Sequence, residues 1–499
     1  MNLWIWIREK EKQGIIMANI TYYTRKPVPL ELHKVKIVQK LNLLPIEERV
    51  KKSYEAGFNT FQLHNKDIFM DMLTDSGVNA MSDQMQAAML TADDAYAGSE
   101  TFYKMEAKIN ELFGPGYVLP AHQGRACENV LTERFVKPGI VVPMNFHFTT
   151  AKAHITRVGG RVEELVKKEG LEVTSDLPFK GDVDIDRFKA LIKEIGVEKM
   201  PYFRLEAGTN LIGGQPVSFA NMKAVSEVCR ENGIIPLMDA SLLQDNLYFI
   251  KTREPGFENV SVRELTRMIA DLFDIIYFSA RKFGFARGGA IWVRDEAMYH
   301  SMEDLIPMYE GFLTYGGMSV KEMEAITVGL EETMDMDVIS QGPIFIEYAV
   351  NEMVKEGIPM ITPAGGLGAH IDANRFCDHL PYTEYRAGAL AMAMYIAGSV
   401  RGMERGTLSE ERNPDGSERF AEMELLRLAL PRRVFTLSQV EYVIDRAKWL
   451  YDNRRLIGGL RFVHEPATLR FFTGRLEPTS DWPEKLAKKF REDFGPESM

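Results

Sequence analysis

A lysine follows a buried-looking strand in the stretch FSARKFGFARGGAIW, which runs from Phe278 to Trp292. The apolar run DIIYF ends there in polar residues, and small residues and glycines follow Lys282. Because lysines mostly decorate wet surfaces, Lys282 alone is most simply a loop lysine. Asp239 closes the apolar stretch PLMD in the same way. An unpaired buried carboxylate is costly, so Asp239 either has a cationic partner or caps the next helix.

The turn HQGRACEN is a third candidate, because Gln123, Gly124 and Arg125 stand just before a predicted helix. Backbone N–H groups at a helix start, with a glycine for close approach, can hold a phosphate. An ordinary tight turn explains this short motif equally well when it is taken alone. A lysine for covalent attachment, an acid for a ring nitrogen and a phosphate cup are together the set that pyridoxal phosphate (PLP) requires. The combination with Lys282 and Asp239 therefore predicts a PLP site.

The elements that must position these residues alternate between strands and helices. A helical stretch, FANMKAVSEVCREN, leads into the strand that ends at Asp239, and the strand before Lys282 repeats the pattern of an apolar run ending in polar residues. Such alternation predicts an α/β fold with a mainly parallel sheet, whose functional groups gather at the carboxyl ends of the strands. After about residue 330, long helical stretches mix with short strands, which indicates a smaller α+β domain.

Composition excludes several classes of protein. The 499 residues include 60 basic and 71 acidic side chains, a net charge of −11, which argues against a nucleic-acid binder. Cys127, Cys229 and Cys377 have no metal-binding or disulfide-like spacing, which favours a reducing compartment, and we expect a cytoplasmic protein. No apolar run approaches the length of a membrane span. The short apolar patch at the start lacks a basic leader, and Met17 is a plausible second start.

The motifs and their order resemble the β-eliminating lyases of PLP-dependent fold type I, a family that includes tyrosine phenol-lyase and tryptophanase. The resemblance extends from about residue 26 to about residue 475. It is carried by FNTFQLHNKDIFMDMLTDSGVNAMSD, DDAYAGSE, HQGRACEN, NFHFTTAKAH, TNLIGGQPVSFANM, MDAS, SARK, YGGM, MERG, RLALPRRV and RFFTGR.

The resemblance implies a large domain with a mainly parallel, seven-stranded sheet and a smaller α+β domain, in a homotetramer built of dimers. We predict an N-terminal extension over residues 1–25, to which we assign no function. Residues 26–75 are expected to form an arm and the N-terminal part of the small domain. Residues 76–335 are expected to form the large PLP-binding domain, and residues 336–499 the C-terminal small domain.

Cofactor-binding roles follow from the resemblance at matching positions. Lys282 matches the lysine that bonds to PLP, and Asp239 matches the acid at the ring nitrogen. Phe148 matches the aromatic residue that stacks on the ring, although its type alone fits a core phenylalanine. The matches to the phosphate cup are Gln123, Gly124, Arg125 and Ser279.

Substrate-binding and catalytic roles follow from the same resemblance. Asn210, grouped here with the cofactor-binding residues, and Arg427 match the grip on the substrate carboxylate, a task that suits a guanidinium fork. Thr74 and Ser76 lie near the same group in the LTDSG stretch. Tyr96 matches a catalytic tyrosine that enters, in relatives, from the neighbouring subunit. The matches to apolar walls near the substrate ring, which fit core packing equally well, are Phe61, Phe471 and Phe472.

Arg405, in the motif GMERG, favours a substrate with an oxygen on its aromatic ring. The tyrosine phenol-lyase branch of the family has an arginine there which, with a threonine matching Thr149, handles the phenolic hydroxyl, whereas tryptophanases have an apolar residue. An unpaired arginine in an aromatic pocket is costly. The alternative for Arg405 is a structural ion pair with Glu404 or another acid.

Two departures from the family lie close to the chemistry. Leu242 stands where relatives have an arginine that contacts the phenolic oxygen of the cofactor. The loop after Lys282 is one residue shorter than in relatives, which bind a monovalent cation such as K⁺ at positions matching Gly77 and Asp94. We hypothesise that Arg287 replaces this cation by pairing with Asp94.

The resemblance implies a PLP-dependent carbon–carbon lyase with a small-molecule substrate, the amino acid L-tyrosine, which it converts to phenol, pyruvate and ammonium. Leu242 leaves room for another PLP reaction, such as tryptophanase activity, transamination, or elimination from a modified aromatic or cysteine-like amino acid. A PLP-binding protein that has lost catalysis is the non-enzymatic alternative.

Overall fold

The computed structural model describes residues 22–23 and 28–499. The possible second start at Met17, and all of the predicted N-terminal extension apart from residues 22–23, lie outside the described residues. None of the helices in the described part of the chain combines the length and the apolar character that crossing a bilayer requires.

The chain divides into two compact units. The large unit contains Ser76–Glu172 and Leu177–Pro343, and the small unit contains Pro29–Asp75, Val173–Asp176 and Ile344–Met499.

Strands are numbered in chain order. Those in the described residues are β1 (Met70–Asp71), β2 (Tyr117–Ala121), β3 (Val141–Met144), β4 (Arg161–Glu164), β5 (Tyr202–Glu206), β6 (Ile235–Asp239), β7 (Ile275–Ser279), β8 (Gly289–Val293), β9 (Gly368–Asp372), β10 (Val400–Arg401), β11 (Met403–Arg405), β12 (Leu425–Ala429), β13 (Leu460–His464) and β14 (Arg475–Pro478).

The α-helices fall between these strands. Those in the described residues are Ile46–Glu55, Asp83–Met89, Glu100–Phe113, Gly124–Phe135, Thr149–Arg157, Ile185–Ile195, Phe219–Glu231, Leu243–Arg253, Val262–Ala270, Glu296–His300, Leu305–Tyr309, Val320–Glu332, Met336–Lys355, Ala373–Phe376, Arg386–Gly398, Leu437–Asp452, Arg470–Thr473 and Trp482–Phe494.

The large unit is organised around a seven-stranded sheet with the strand order β2-β8-β7-β6-β5-β3-β4. Neighbouring strands are parallel from β7 to β4, and β8 is antiparallel to both β2 and β7. Strands β5, β7 and β8 are buried along their whole length, as expected for a sheet covered on both faces. The predicted α/β fold with a mainly parallel, seven-stranded sheet is confirmed.

The strand register brings the candidate residues to one edge of this sheet. Glu206 at the end of β5 pairs with Asp239 at the end of β6, and Asp239 pairs with Tyr277 on β7. Because these strands are parallel, their carboxyl ends lie side by side. Lys282 follows β7 by three residues and therefore emerges at the same edge.

The connecting helices begin where a short polar side chain can cap them. Ser218 accepts a hydrogen bond from the backbone N–H of Asn221, and Ser261 accepts one from that of Glu264. These bonds satisfy N–H groups that have no partner inside the helix. The helix before β6 and the helix before β7 therefore start at fixed points, which helps to set where both strands begin.

The small unit contains a three-stranded antiparallel sheet with the order β11-β12-β9. Arg427 lies on the central strand, with Met403 opposite on β11 and His370 opposite on β9. Two two-stranded pairs, β1 with β10 and β13 with β14, complete the strands of this unit in the described residues. The helix Arg386–Gly398 is buried nearly all round and forms the centre of the core of this unit.

Gly329 offers a test of how the turn after Lys282 is held. A Cβ added to Gly329, inside the helix Val320–Glu332, would lie 1.8 Å from the carbonyl oxygen of Gly284. Gly329→Ala should therefore destabilise the protein by about 2–3 kcal/mol, because backbone must move. In the matched control Gly388→Ala, also in a helix, the nearest neighbour is a leucine methyl group at 3.3 Å. Urea unfolding would contradict the expectation if both variants were equally stable.

Candidate active site

Lys282 lies in a tight turn directly after β7. The backbone N–H groups of Lys282 and Phe283 both donate to the carbonyl of Ser279, at 3.0 and 3.1 Å. Lys282 is only 9% exposed, and its Nζ lies 5.7 Å from the centre of the Phe148 ring. The alternative of a loop lysine on a wet surface therefore does not hold for Lys282, since its side chain is buried inside the large unit next to an aromatic face.

The Gln123–Gly124 turn packs closely against the ends of β7 and β8. Gly124 is the first residue of the helix Gly124–Phe135, and a Cβ there would lie 2.9 Å from the Cβ of Ser279. A Cβ on Gly289 would lie 2.7 Å from the carbonyl of Phe278. This glycine-lined helix start can receive an anion, because its first N–H groups have no partner within the helix. Arg125, one residue further on, is exposed.

Glu310 supports this turn, and the sequence analysis did not identify it. Its Oε2 accepts the backbone N–H of His122 at 3.0 Å and lies 2.5 Å from the Nδ1 of the same histidine. Both contacts fix the residue just before Gln123. The sequence carries no signal for this contact, because Glu310 is 188 residues away from His122.

Asp239 is 5% exposed, and both oxygens of its side chain accept hydrogen bonds. Its Oδ1 accepts the backbone N–H of Ser241 at 2.9 Å. Its Oδ2 accepts from Nη2 of Arg204 at 2.5 Å and from the hydroxyl of Tyr277 at 2.8 Å. The hydroxyl of Ser241 in turn accepts the backbone N–H of Ser279 at 3.0 Å, so the ends of β6 and β7 are tied together.

Arg204 lies at the centre of a buried charged cluster that the sequence analysis missed. Besides Asp239, it donates to Glu206 Oε2 at 3.1 Å and to the Tyr277 hydroxyl at 2.9 Å, and it lies 4.0 Å from Glu128. The signal was present in the sequence YFRLE, because two charged residues in an otherwise apolar strand are unusual. Identifying their partners required the fold.

Burial shifts the ionisation of this cluster. Burial raises the pKa of Glu128 to about 7, although the nearby Arg204 opposes the shift. Burial also raises the pKa of Glu206, again against the pull of Arg204. The hydroxyl of Thr150 donates to Glu128 Oε2 at 2.6 Å, which ties the helix that begins at Thr149 to the same cluster.

Asn210 and Leu242 both lie near this cluster in the large unit. The backbone N–H of Asn210 donates to Glu206 Oε1 at 3.1 Å. Leu242 is 3% exposed, and a Cβ on Gly208 would lie 3.0 Å from the leucine Cβ. Leu242, at the position matched to an arginine in the sequence analysis, is therefore a buried apolar side chain.

Arg281 occupies the surroundings of Gly77. The N–H of Gly77 donates to the carbonyl of Arg281 at 2.8 Å, and Arg281 Nε donates to the Ser76 hydroxyl at 3.2 Å. A Cβ on Gly77 would lie 2.5 Å from the guanidinium. Arg287 and Asp94 are both exposed. A cation does lie against Gly77, but it belongs to Arg281, and the pairing of Arg287 with Asp94 stays a prediction.

Tyr96 is 74% exposed on the large unit. Its ring stacks on Phe312 at 5.7 Å and meets Tyr315 edge-on at 5.6 Å, measured between ring centres. The tyrosine is therefore held in an exposed aromatic cluster rather than in a packed core.

Arg427 is buried on the central strand of the small-unit sheet. Its Nη2 donates to the carbonyl of Leu73 at 2.8 Å, next to Thr74 in the chain. Burial lowers the pKa of Arg427 to about 10, and Asp75 opposes the shift. His370, opposite Arg427 on β9, has its pKa lowered to about 3 by burial and by Arg427. This histidine, which the sequence analysis did not identify, is therefore neutral at physiological pH.

Arg405 and the predicted aromatic wall also belong to the small unit. Arg405 is 5% exposed on β11. Burial raises the pKa of the adjacent Glu404 to about 8, against the opposing charge of Arg405. A structural ion pair of Arg405 with Glu404 or another acid stays the alternative. The rings of Phe61 and Phe471 meet edge-on at 5.6 Å, and Phe472 lies 4.9 Å from Phe61. These rings pack together, as both a wall and a core would require.

Solved structures share the architecture of this chain. A variant of serine palmitoyltransferase from S. paucimobilis matches with a TM-score of 0.56 at 11% identity, over 79% of this chain and 90% of that one. Threonine aldolase from Leishmania major matches with a TM-score of 0.53 at 15% identity, over 77% of this chain and 99% of that one. The fold is that of the PLP-dependent enzymes of fold type I.

Sequence relatives narrow this class to one family. The model of the β-eliminating lyase family matches residues 71–446. Tyrosine phenol-lyase from Lacrimispora saccharolytica is 43% identical over 451 residues, which cover 90% of this chain and 96% of that relative. Tyrosine phenol-lyase from Symbiobacterium thermophilum is 39% identical, covering 90% and 99%. The chain belongs to the β-eliminating lyase family, as the sequence motifs predicted.

Proposed function

We propose that this protein is a PLP-dependent carbon–carbon lyase that converts L-tyrosine to phenol, pyruvate and ammonium. The observation that carries the proposal is the buried Lys282, which emerges beside Asp239 at the carboxyl edge of the large-unit sheet. The relatives named tyrosine phenol-lyase, which align over 90% of this chain, support the choice of reaction.

The residues of the large unit fit PLP chemically. The glycine-lined start of the helix Gly124–Phe135 suits a phosphate, and the aromatic ring of Phe148 suits stacking. Asp239 is a buried acceptor for a protonated ring nitrogen. When bound, the cofactor supplies an electron sink next to the α-carbon of the amino acid.

The side chains of this chain then supply binding and proton transfer. Arg427, together with Asn210, binds the substrate carboxylate, and its neutral neighbour His370 adds no competing charge. Lys282 removes the α-proton, and Asp239 keeps a proton on the ring nitrogen. Thr149 and Arg405 orient the phenolic hydroxyl, and their roles come from the resemblance at these positions.

Cleavage of the carbon–carbon bond requires an acid at the ring carbon that leaves. Tyr96, with its exposed side chain, is the proposed acid. In relatives the matching tyrosine enters from a neighbouring subunit, so we also propose a homotetramer built of dimers. We also propose a cytoplasmic location. The enzyme is expected to work without a monovalent cation, because the guanidinium of Arg281 already lies against Gly77.

A product assay tests the reaction. Purified protein with added PLP and L-tyrosine is expected to release phenol and pyruvate in equal amounts. Bound cofactor with neither product would overturn the assignment to tyrosine and favour another PLP reaction, for which the buried Leu242 is the specific observation. Tryptophan with detection of indole then tests for tryptophanase activity. S-methylcysteine with identification of the keto acid separates elimination from transamination.

A further inference from the structure

Two charged side chains in the buried strand β5 connect the predicted partner of the ring nitrogen to the predicted substrate-binding residue Asn210. Arg204 is 2% exposed and Glu206 is 5% exposed. Arg204 donates to Asp239 Oδ2 at 2.5 Å and to Glu206 Oε2 at 3.1 Å. Glu206 Oε1 accepts the backbone N–H of Asn210 at 3.1 Å.

Glu206 is held firmly in this place by its own backbone. Its N–H donates to Asn145 Oδ1, and its carbonyl accepts from Asn145 Nδ2, both at 2.9 Å. Both oxygens of the Glu206 side chain accept hydrogen bonds, as both oxygens of Asp239 do. The guanidinium of Arg204 and the backbone N–H of Asn210 can only donate, so these contacts favour the ionised form of Glu206 against the effect of burial. One guanidinium therefore faces two carboxylates, and these three groups carry an excess of one negative charge.

The guanidinium next to Asp239 creates a chemical problem for a PLP site. A cation hydrogen-bonded to the carboxylate weakens its attraction for a second cation, such as a protonated ring nitrogen. Glu206 removes this problem, because it is bound to the same guanidinium from the other side. Glu128, close to Arg204 and with a pKa of about 7, adds a further partial negative charge at neutral pH.

We propose that Arg204 and Glu206 are positioning residues for the ring nitrogen of PLP: Arg204 fixes the carboxylate of Asp239, and Glu206 offsets the charge of Arg204 so that the ring nitrogen stays protonated. The inference rests on the proposed binding of PLP. It assigns a role to an ion pair that is buried in β5.

A set of three variants separates charge from packing. Glu206→Gln keeps the shape and leaves the guanidinium neutralised by Asp239 alone, so we expect the Kd for PLP to rise about tenfold, the equivalent of about 1.4 kcal/mol. The double variant Arg204→Met with Glu206→Gln restores the excess negative charge at Asp239 and is expected to recover most of the lost affinity. Arg204→Met alone leaves two buried carboxylates without their cation, so the apoprotein should unfold at a lower temperature.

The ring nitrogen itself provides the second readout. Reconstitution of each apoprotein with ¹⁵N-labelled PLP and measurement of the ¹⁵N chemical shift report directly whether the nitrogen is protonated. The wild type and the double variant are expected to give the protonated shift, and Glu206→Gln a shift towards the neutral form. Neither measurement depends on turnover.

The control is another buried guanidinium between two carboxylates, in the small unit. Arg470 is 2% exposed and pairs with Glu418 and with Glu465, the latter at 2.7 Å. Glu418→Gln should lower the melting temperature of the apoprotein without changing the Kd for PLP or the ¹⁵N shift. Any effect specific to Glu206 therefore stands out from the general effect of disturbing such a cluster.

The outcomes are distinct. An unchanged Kd and ¹⁵N shift in Glu206→Gln would overturn the inference, and so would a double variant as impaired as the single one, because both results mean that the charge of Glu206 is irrelevant. If the wild type still binds PLP and releases phenol, the proposed function stands in either case. A wild type that binds no PLP would overturn both.

Discussion

Lys282→Ala is expected to lower kcat for pyruvate formation from tyrosine by about 10³-fold or more, because the same amine anchors the cofactor and moves the α-proton. The side chain is 9% exposed and lies in a turn fixed by two hydrogen bonds to Ser279, so the fold sets the position of its amine. Steady-state release of pyruvate and phenol measures the loss.

Borohydride reduction followed by peptide mass spectrometry checks the covalent link. Wild-type protein should carry the reduced cofactor on the peptide that contains Lys282, and the variant should carry none. The matched control is Lys251→Met, since Lys251 is also buried but donates to the carbonyls of Phe257 and Glu258. That variant should lose thermal stability and keep the link. A Lys282→Ala enzyme with near-normal turnover would refute the role of this lysine.

Arg405→Met is expected to lower kcat/KM for tyrosine by about 10²–10³-fold, the usual effect of removing one donor to a developing oxyanion. The arginine is buried on β11, and the proposed function assigns it to the phenolic hydroxyl. S-methylcysteine has a thiolate leaving group and no ring hydroxyl, so its elimination should be largely unaffected. The ratio of the two kcat/KM values is the quantity to measure.

Arg401→Met is the control for this ratio. Arg401, on the neighbouring strand β10, is paired with Asp71 at 2.5 Å. Its loss should lower stability and leave the preference between the two substrates unchanged. Equal losses with tyrosine and S-methylcysteine in Arg405→Met would mean that the arginine supports the small-unit sheet rather than the phenol.

Residues at strand ends were accessible from the sequence, because an apolar run that stops abruptly marks where a buried strand meets the sheet edge. Lys282 and Asp239 stand at such points, and the structure places both at that edge. The mainly parallel sheet followed from the same alternation, and its seven strands followed from the family resemblance.

Residues within strands and on distant elements were not accessible in this way. The partners of Arg204 come from β6, β7 and the helix Gly124–Phe135, whose separation in sequence conceals their contact. The same limit applies near Gly77, where the contact with the Arg281 guanidinium could not be read from the sequence. The hydrophobic pattern of a segment indicates which of its residues face the core. Their contacts with distant segments depend on how the whole chain packs.

The small unit is assembled from chain segments that precede and follow most of the large unit in the sequence. Residues Pro29–Asp75 join Ile344–Met499, and the pairing of Met70 with Val400 closes a loop of more than three hundred residues. During synthesis the large unit can fold as soon as its own residues have emerged, whereas the N-terminal segment waits for a partner made much later. The entropic cost of closing this loop grows only slowly with its length, so the long separation slows folding more than it lowers stability. We therefore expect the small unit, which carries Arg405 and Arg427, to finish folding after the large unit.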